Sequence, residues 1–167
     1  MEKADTNLFA DCSTPLELIQ MVLAEITGIV DEKYGQVVQD NSIMMPEVGR
    51  YLVSDAQPVY TIEVKMKMLN LFNKLEQSDL LDIKQIIQLE HALSTRESVL
   101  SFSDPAFFNA VKKLQTIRQE QLLNFDLIQL EDGIDHLFFQ EEVTLQNTKI
   151  KTELIIAMHH LLNNINH

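Results

Sequence analysis

The chain is poor in the residues that make turns, staples and positive surface. Four glycines and four prolines in 167 residues are too few for a loop-rich all-β fold with its many turns. Cys12 is the only cysteine, which excludes an intramolecular disulfide and suits a reducing compartment. Thirteen basic residues stand against twenty-five acids, a formal net charge of −12. Such a surface is repelled by phosphate, so direct binding to nucleic acid or to an anionic membrane is not expected. No apolar run approaches the ~18 residues that a membrane helix needs, so membrane insertion is not expected either. The opening MEKADTNLFADCS lacks the apolar stretch of a signal peptide. A cytoplasmic protein is the expectation.

The signatures of chemistry are missing too. A helical di-iron site needs Glu-x-x-His on two helices. The residues three before His91, His136, His159, His160 and His167 are Gln88, Gly133, Ile156, Ala157 and Asn164. His-Glu-x-x-His, a Gly-rich phosphate loop and a Gly-x-Ser-x-Gly elbow are likewise absent. Asp132 and His136, four apart, supply two ligands, and two ligands are not a metal site. His159 and His160 are adjacent, so on a helix they point about 100° apart and cannot chelate from one face. Cys12 precedes a helix start but sits on what reads as an unstructured arm, a poor catalytic platform. No catalytic residue, cofactor or metal is expected, and the protein reads as a non-enzyme.

What is present suits helices. The composition is 46% hydrophobic and 23% charged, as in ordinary globular proteins. Leu, Ile, Gln, Glu and Lys dominate it, a set that suits helices. The expectation is an all-α, bundle-like single domain of six or seven helices with long C-terminal helices. Residues 1–12 read as a flexible N-terminal arm and 13–167 as the helical domain.

Along the chain, Thr14-Pro15-Leu16-Glu17 forms a capping box with proline at the first helical position. Leu18, Met21, Val22, Ile26, Ile29 and Val30 follow at helical spacing. Gly28 inside this helix suggests close approach of a neighbour, and the helix is expected to end between Tyr34 and Asp40. Residues 40–58 read as irregular, with a short helix over Pro46–Val53. From Tyr60 to Met68 apolar and polar residues alternate, so a strand at 59–68 is a minor alternative. With no second alternating run to pair with, helix is preferred. The next helix begins at Ser78, with Asp79 and Asp82 near its positive end. Asp104-Pro105 then caps a long helix carrying Phe107, Phe108, Val111, Leu114, Ile117 and Leu122. The last helix begins near Glu142 or Val143 and buries Ile150, Leu154, Met158, Leu161 and Ile165.

The most informative stretch is residues 119–148. It holds Glu120, Asp126, Glu131, Asp132, Asp135, Glu141 and Glu142 and no Lys or Arg. On a helical wheel, Leu123, Leu127, Leu130, Ile134, Leu137 and Phe138 share a face, which is the expected core. Phe125, Ile128 and Phe139 fall opposite, among Asp132, Asp135 and Glu142. Three readings remain open: a central helix buried on both sides, a break near Asn124–Asp126 or Gly133, or an exposed partner-binding strip.

These six residues, Phe125, Ile128, Asp132, Asp135, Phe139 and Glu142, are the candidate partner-binding site. The leading function is a protein–protein interaction module: an adaptor, chaperone or regulatory subunit engaging a protein partner, with a homodimer as a variant. One alternative is an acidic inhibitor that mimics DNA or phosphate. Another is a helical enzyme or ligand carrier whose site is assembled from residues distant in sequence.

Overall fold

The computed structural model describes residues 9–44, 61–98, 100–129 and 136–167. The capping box sets the start of the first helix, α1 (Pro15–Met44). The Glu17 amide donates to Thr14 Oγ1 at 3.2 Å, and the Thr14 amide donates back to Glu17 Oε2 at 3.2 Å. Ser13 adds its own N–H and hydroxyl to the same carboxylate oxygen, each at 2.7 Å. Hydrogen bonding from the Ser13 side chain, then from the Ser13 and Thr14 amides, holds the Glu17 carboxyl below its ordinary range. Such a cap contributes about 1 kcal/mol. The helix runs past the expected Tyr34–Asp40 terminus to Met44.

Gly28 does not serve a close approach. It is exposed, and a Cβ placed there meets nothing within 4 Å. Residues 9–12 are not an arm: Phe9 and Cys12 belong to the core. Phe9 lies tilted against the His159 ring at 5.1 Å, and the Cys12 thiol meets Met21 Sδ at 3.1 Å. Burial raises the Cys12 pKa, which keeps it a neutral packing group.

The alternating run is helical: α2 spans Ile62–Leu71, so the strand alternative fails over 62–68, and residues 59 and 60 lie outside the described residues. Met66 and Leu69 are its fully buried residues. The helix ends in a Schellman motif, with Asn73 at φ 55°, the Asn73 amide on Asn70 O (3.0 Å) and the Lys74 amide on Leu69 O (2.8 Å). The expected short helix at Pro46–Val53 lies outside the described residues.

The third helix, α3 (Gln77–Ser94), buries Leu80, Ile83, Ile86, Leu89 and Leu93. Asp82 is buried with them, and it stabilises a different helix from its own. Its two oxygens accept from the Gln115 amide (2.6 Å), the Thr116 amide (2.8 Å) and the Thr116 hydroxyl (2.8 Å). These donors open a helix, so the long helix expected from Asp104 to Leu122 is two short ones, α4 (Pro105–Val111) and α5 (Gln115–Gln119). Asp104 Oδ1 caps α4 as expected, accepting from the Ala106 and Phe107 amides at 3.0 Å.

The last helix, α6 (His136–Asn166), is already helical six residues before the expected Glu142. It buries all five expected residues together with Gln146 and Ala157. Among the described residues all regular structure is helical, in six helices sharing one core. α1 packs on α2, α3 and α6; α3 also meets α2, α5 and α6, and α5 lies against α6.

Candidate functional site

The 119–148 stretch is not one helix. α5 ends in a second Schellman motif, with the Gln121 amide on Arg118 O (3.3 Å) and the Leu122 amide on Ile117 O (3.0 Å). Gln121 takes φ 55° and Leu123 φ 53°, left-handed conformations that no glycine is there to supply. Residues 121–129 then run without helix along α6, and the central-helix reading falls.

Three polar residues of α6 hold this segment, and they are seven apart, on one face of the helix. His160 Nδ1 lies 3.1 Å from Glu120 Oε1. Glu153 Oε2 accepts from the Leu123 amide at 2.5 Å. Gln146 accepts from the Ile128 amide (3.1 Å) and donates to Asp126 O (2.9 Å). The segment thus runs antiparallel to α6. Gln146 satisfies two backbone groups that would otherwise lie unpaired at a half-buried site.

Aromatic contacts fix the far end of the segment. Phe125 packs 5.6 Å from the Phe108 ring, with the Lys149 ammonium 4.1 Å from its own centroid. Lys112 lies 5.0 Å over Phe108 and donates to Phe125 O at 3.3 Å. Between α4, residues 126–129 and the first turns of α6 an open groove of about 740 Å³ remains. Phe108, Leu127, Ile128, Phe139 and Val143 give it apolar walls, and Lys112 and Asp126 supply charge of both signs.

The expected site residues divide. Ile128 and Phe139 are half-buried and line the groove. Phe125 packs against the core. Glu142 joins Phe125 and Ile128 around a shallow depression on the neighbouring surface. Asp132 and Asp135 lie outside the described residues, as do Leu130, Gly133 and Ile134. On the face that the wheel assigned to the core, Leu123 is fully buried and Leu127 packs on the core, but Leu137 and Phe138 are 71% and 58% exposed. Sequence reasoning passed over Gln146, and it assigned Leu127 and Phe108 to helix faces rather than to a groove. The seven-residue spacing of Gln146, Glu153 and His160 was the signal available for Gln146.

The histidines do not converge. His136 opens α6 and is exposed, and His160 pairs with Glu120. Burial first, then the nearby His160, lowers the His159 pKa, so its ring packs on Phe9 in the neutral form. No group of three or more metal-ligating side chains occurs among the described residues. No helix among them is long and apolar enough to cross a membrane.

Against known proteins, the family model described as "MtlR: Mannitol repressor" matches residues 7–166. No curated protein matches the sequence. Among solved structures, the chain resembles the X-ray structure of the MtlR–HPr complex from Escherichia coli. The TM-score is 0.79 at 14% identity, over 96% of this chain and 94% of that one. At that identity the likeness is one of fold.

Proposed function

This chain belongs to the mannitol repressor (MtlR) family, and on that premise we propose that it is a non-enzymatic, cytoplasmic regulator acting through a protein partner rather than by gripping DNA. The charge of −12 works against a phosphate-binding role. The partner proposed is an HPr protein, since a protein of the same fold was crystallised with one. The observation that carries the reading is the groove. Its apolar walls stand on two helices, and its third side is a segment locked by Gln146. A preformed apolar cleft with a few polar groups at its edge is suited to taking an anchor side chain from a partner.

In this reading Ile128 and Phe139 receive the anchor, and Phe125 and Glu142 belong to the adjoining rim. Asp132 and Asp135 complete the proposed site. The test is calorimetric titration of the full chain with HPr from its own organism. Phe139→Asp is expected to leave the circular-dichroism melt intact and weaken binding by about a hundredfold, the cost of one central anchor. Wild-type chain that fails to bind HPr sinks the choice of partner. Binding indifferent to Phe139→Asp sinks the choice of site. Affinity that collapses between low and physiological salt points instead to an acidic mimic of nucleic acid.

A further inference from the structure

The outward face of α6, turned away from the core and bordering the depression beside the groove, is more apolar than its composition reads. Phe138 and Leu145 are seven apart and 58% and 70% exposed; Ile156, further along, is 41% exposed. Thr152 and Thr148 lie on the same side, with Thr144 at its edge. Each threonine hydroxyl is turned back onto the carbonyl four residues earlier: Gln140 O (2.8 Å), Thr144 O (3.1 Å) and Thr148 O (2.8 Å). With the hydroxyls so engaged, the threonines present methyl groups. Leucine, phenylalanine and methyl surface therefore runs along four turns of helix, interrupted by the exposed Glu141 one turn before Leu145.

Its flank carries a charge pattern that selects the occupant. Glu142 and Lys149 are seven apart on one flank and bracket Leu145. A twofold axis across the helix near Leu145 and Gln146 brings the same flank of two copies together in antiparallel order. Glu142 of each copy then comes level with Lys149 of the other, and Leu145 lies beside its own counterpart. Phe138 of each copy faces Thr152 of the other. A parallel pair, whose twofold runs along the helices, puts these flanks on opposite sides of the seam and loses the Glu142–Lys149 match. Self-complementarity under a twofold is the property of an isologous interface, and charges flanking an apolar seam set its orientation.

We propose that the outward face of α6 is a homodimer interface, in which a second copy of this chain packs antiparallel about Leu145. The contact runs from Phe138 to Thr152, about 21 Å of helix, so the interface is small and the dimer exchanges readily. It leaves the walls of the groove free, shares Glu142 with the proposed HPr rim, and does not rest on the choice of HPr as partner.

The test is sedimentation equilibrium of the full chain from about 5 to 500 μM, a range that brackets micromolar association. Wild-type mass rises from monomer towards dimer across the series. Leu145→Glu, which sets two like charges at the axis, stays monomeric with an unchanged helical melt. Glu142→Lys weakens the dimer at least about tenfold, and adding Lys149→Glu restores it to within about threefold, because the pair is rebuilt with its signs exchanged. Wild-type chain that is monomeric throughout overturns the proposal. So does association indifferent to Leu145→Glu, or a double exchange that folds but does not restore the dimer. Leu145→Glu keeps HPr binding if the two surfaces are separate. If it abolishes HPr binding in a chain that is monomeric anyway, the face belongs to that partner and not to a second copy.

Discussion

Asp79 and Asp82 sit one turn apart on α3, both buried, and removing their charges is expected to have opposite effects. Asp82 accepts three hydrogen bonds from the first turn of α5. Among the described residues Asp79 has no such donors. Burial, then the charges of Glu76 and Asp82, push its pKa up from 3.8 to about 6, with Lys33 pulling weakly the other way. A rise of about two units, at ~1.4 kcal/mol each, is a cost of order 3 kcal/mol for holding the carboxylate charged in the fold. The folded pKa lies above the unfolded one, so the folded state binds the proton more tightly. Stability is therefore lost as pH rises from about 4 to 6, and the full cost is present above that window. Asp79→Asn is expected to raise the unfolding free energy by ~1–3 kcal/mol at pH 7.5, and the gain is expected to fall by roughly half at pH 5. Urea denaturation of wild type and variant at the two pH values measures this. The difference between the chains cancels the other titrations, and added salt offsets the low solubility near the pI of about 4.7. Asp82→Asn is the internal control, expected to cost ~2–4 kcal/mol at either pH. An Asp79→Asn gain that is absent at pH 7.5, or as large at pH 5, refutes the argument.

Two further changes test the local accounts. Gly28→Ala meets nothing within 4 Å in an exposed stretch of α1, so it should raise stability by ~0.5–1 kcal/mol in thermal melts. A loss would mean that the face is covered. Gln146→Leu strips the partners from the Ile128 amide and Asp126 O while keeping the side chain's bulk. Hydrogen exchange at the Ile128 amide should then accelerate by about tenfold or more, reflecting ~1.5 kcal/mol or more of lost local protection, while the core of α6 stays protected. Unchanged exchange there would show that Gln146 does not anchor the segment.

Local signals in the sequence located the fold's beginnings well. Thr14-x-x-Glu17 and Asp104-Pro105 each open a helix where their chemistry says one should open. The periodic residues of the C-terminal helix are all buried. The errors fall where a distant group decides. α4 and α5 are separate because Asp82, more than thirty residues earlier, supplies the N-terminal acceptor for α5. Nothing between Val111 and Leu114 announces that break. Phe9 and Cys12 looked like arm residues because they are short apolar interruptions in polar sequence. They are core because α6 passes over them, with Lys151 donating to Ala10 O at 2.6 Å.

The wheel drawn over residues 119–148 fails for a related reason. A wheel assigns faces only if the chain is one helix, and the Schellman turn at Gln121 breaks that condition with a residue whose identity carries no warning. Glycine or asparagine at that position would have marked it, as Asn73 marks the end of α2. Once the break is placed, the two-sided apolar pattern separates into two causes. Leu123, Phe125 and Leu127 are apolar because their segment is packed down onto α6 and α4. Phe138 and Phe139 are adjacent on a true helix, so they must diverge by about 100°, one to solvent and one to the groove. A helix whose first turns carry large apolar groups on both sides is not fully satisfied by its own core. The same helix holds its bound segment through Gln146, Glu153 and His160, polar contacts that depend on a constant seven-residue register. Rigidity comes from that polar row, and the surplus apolar surface is what such rigidity leaves available to other molecules.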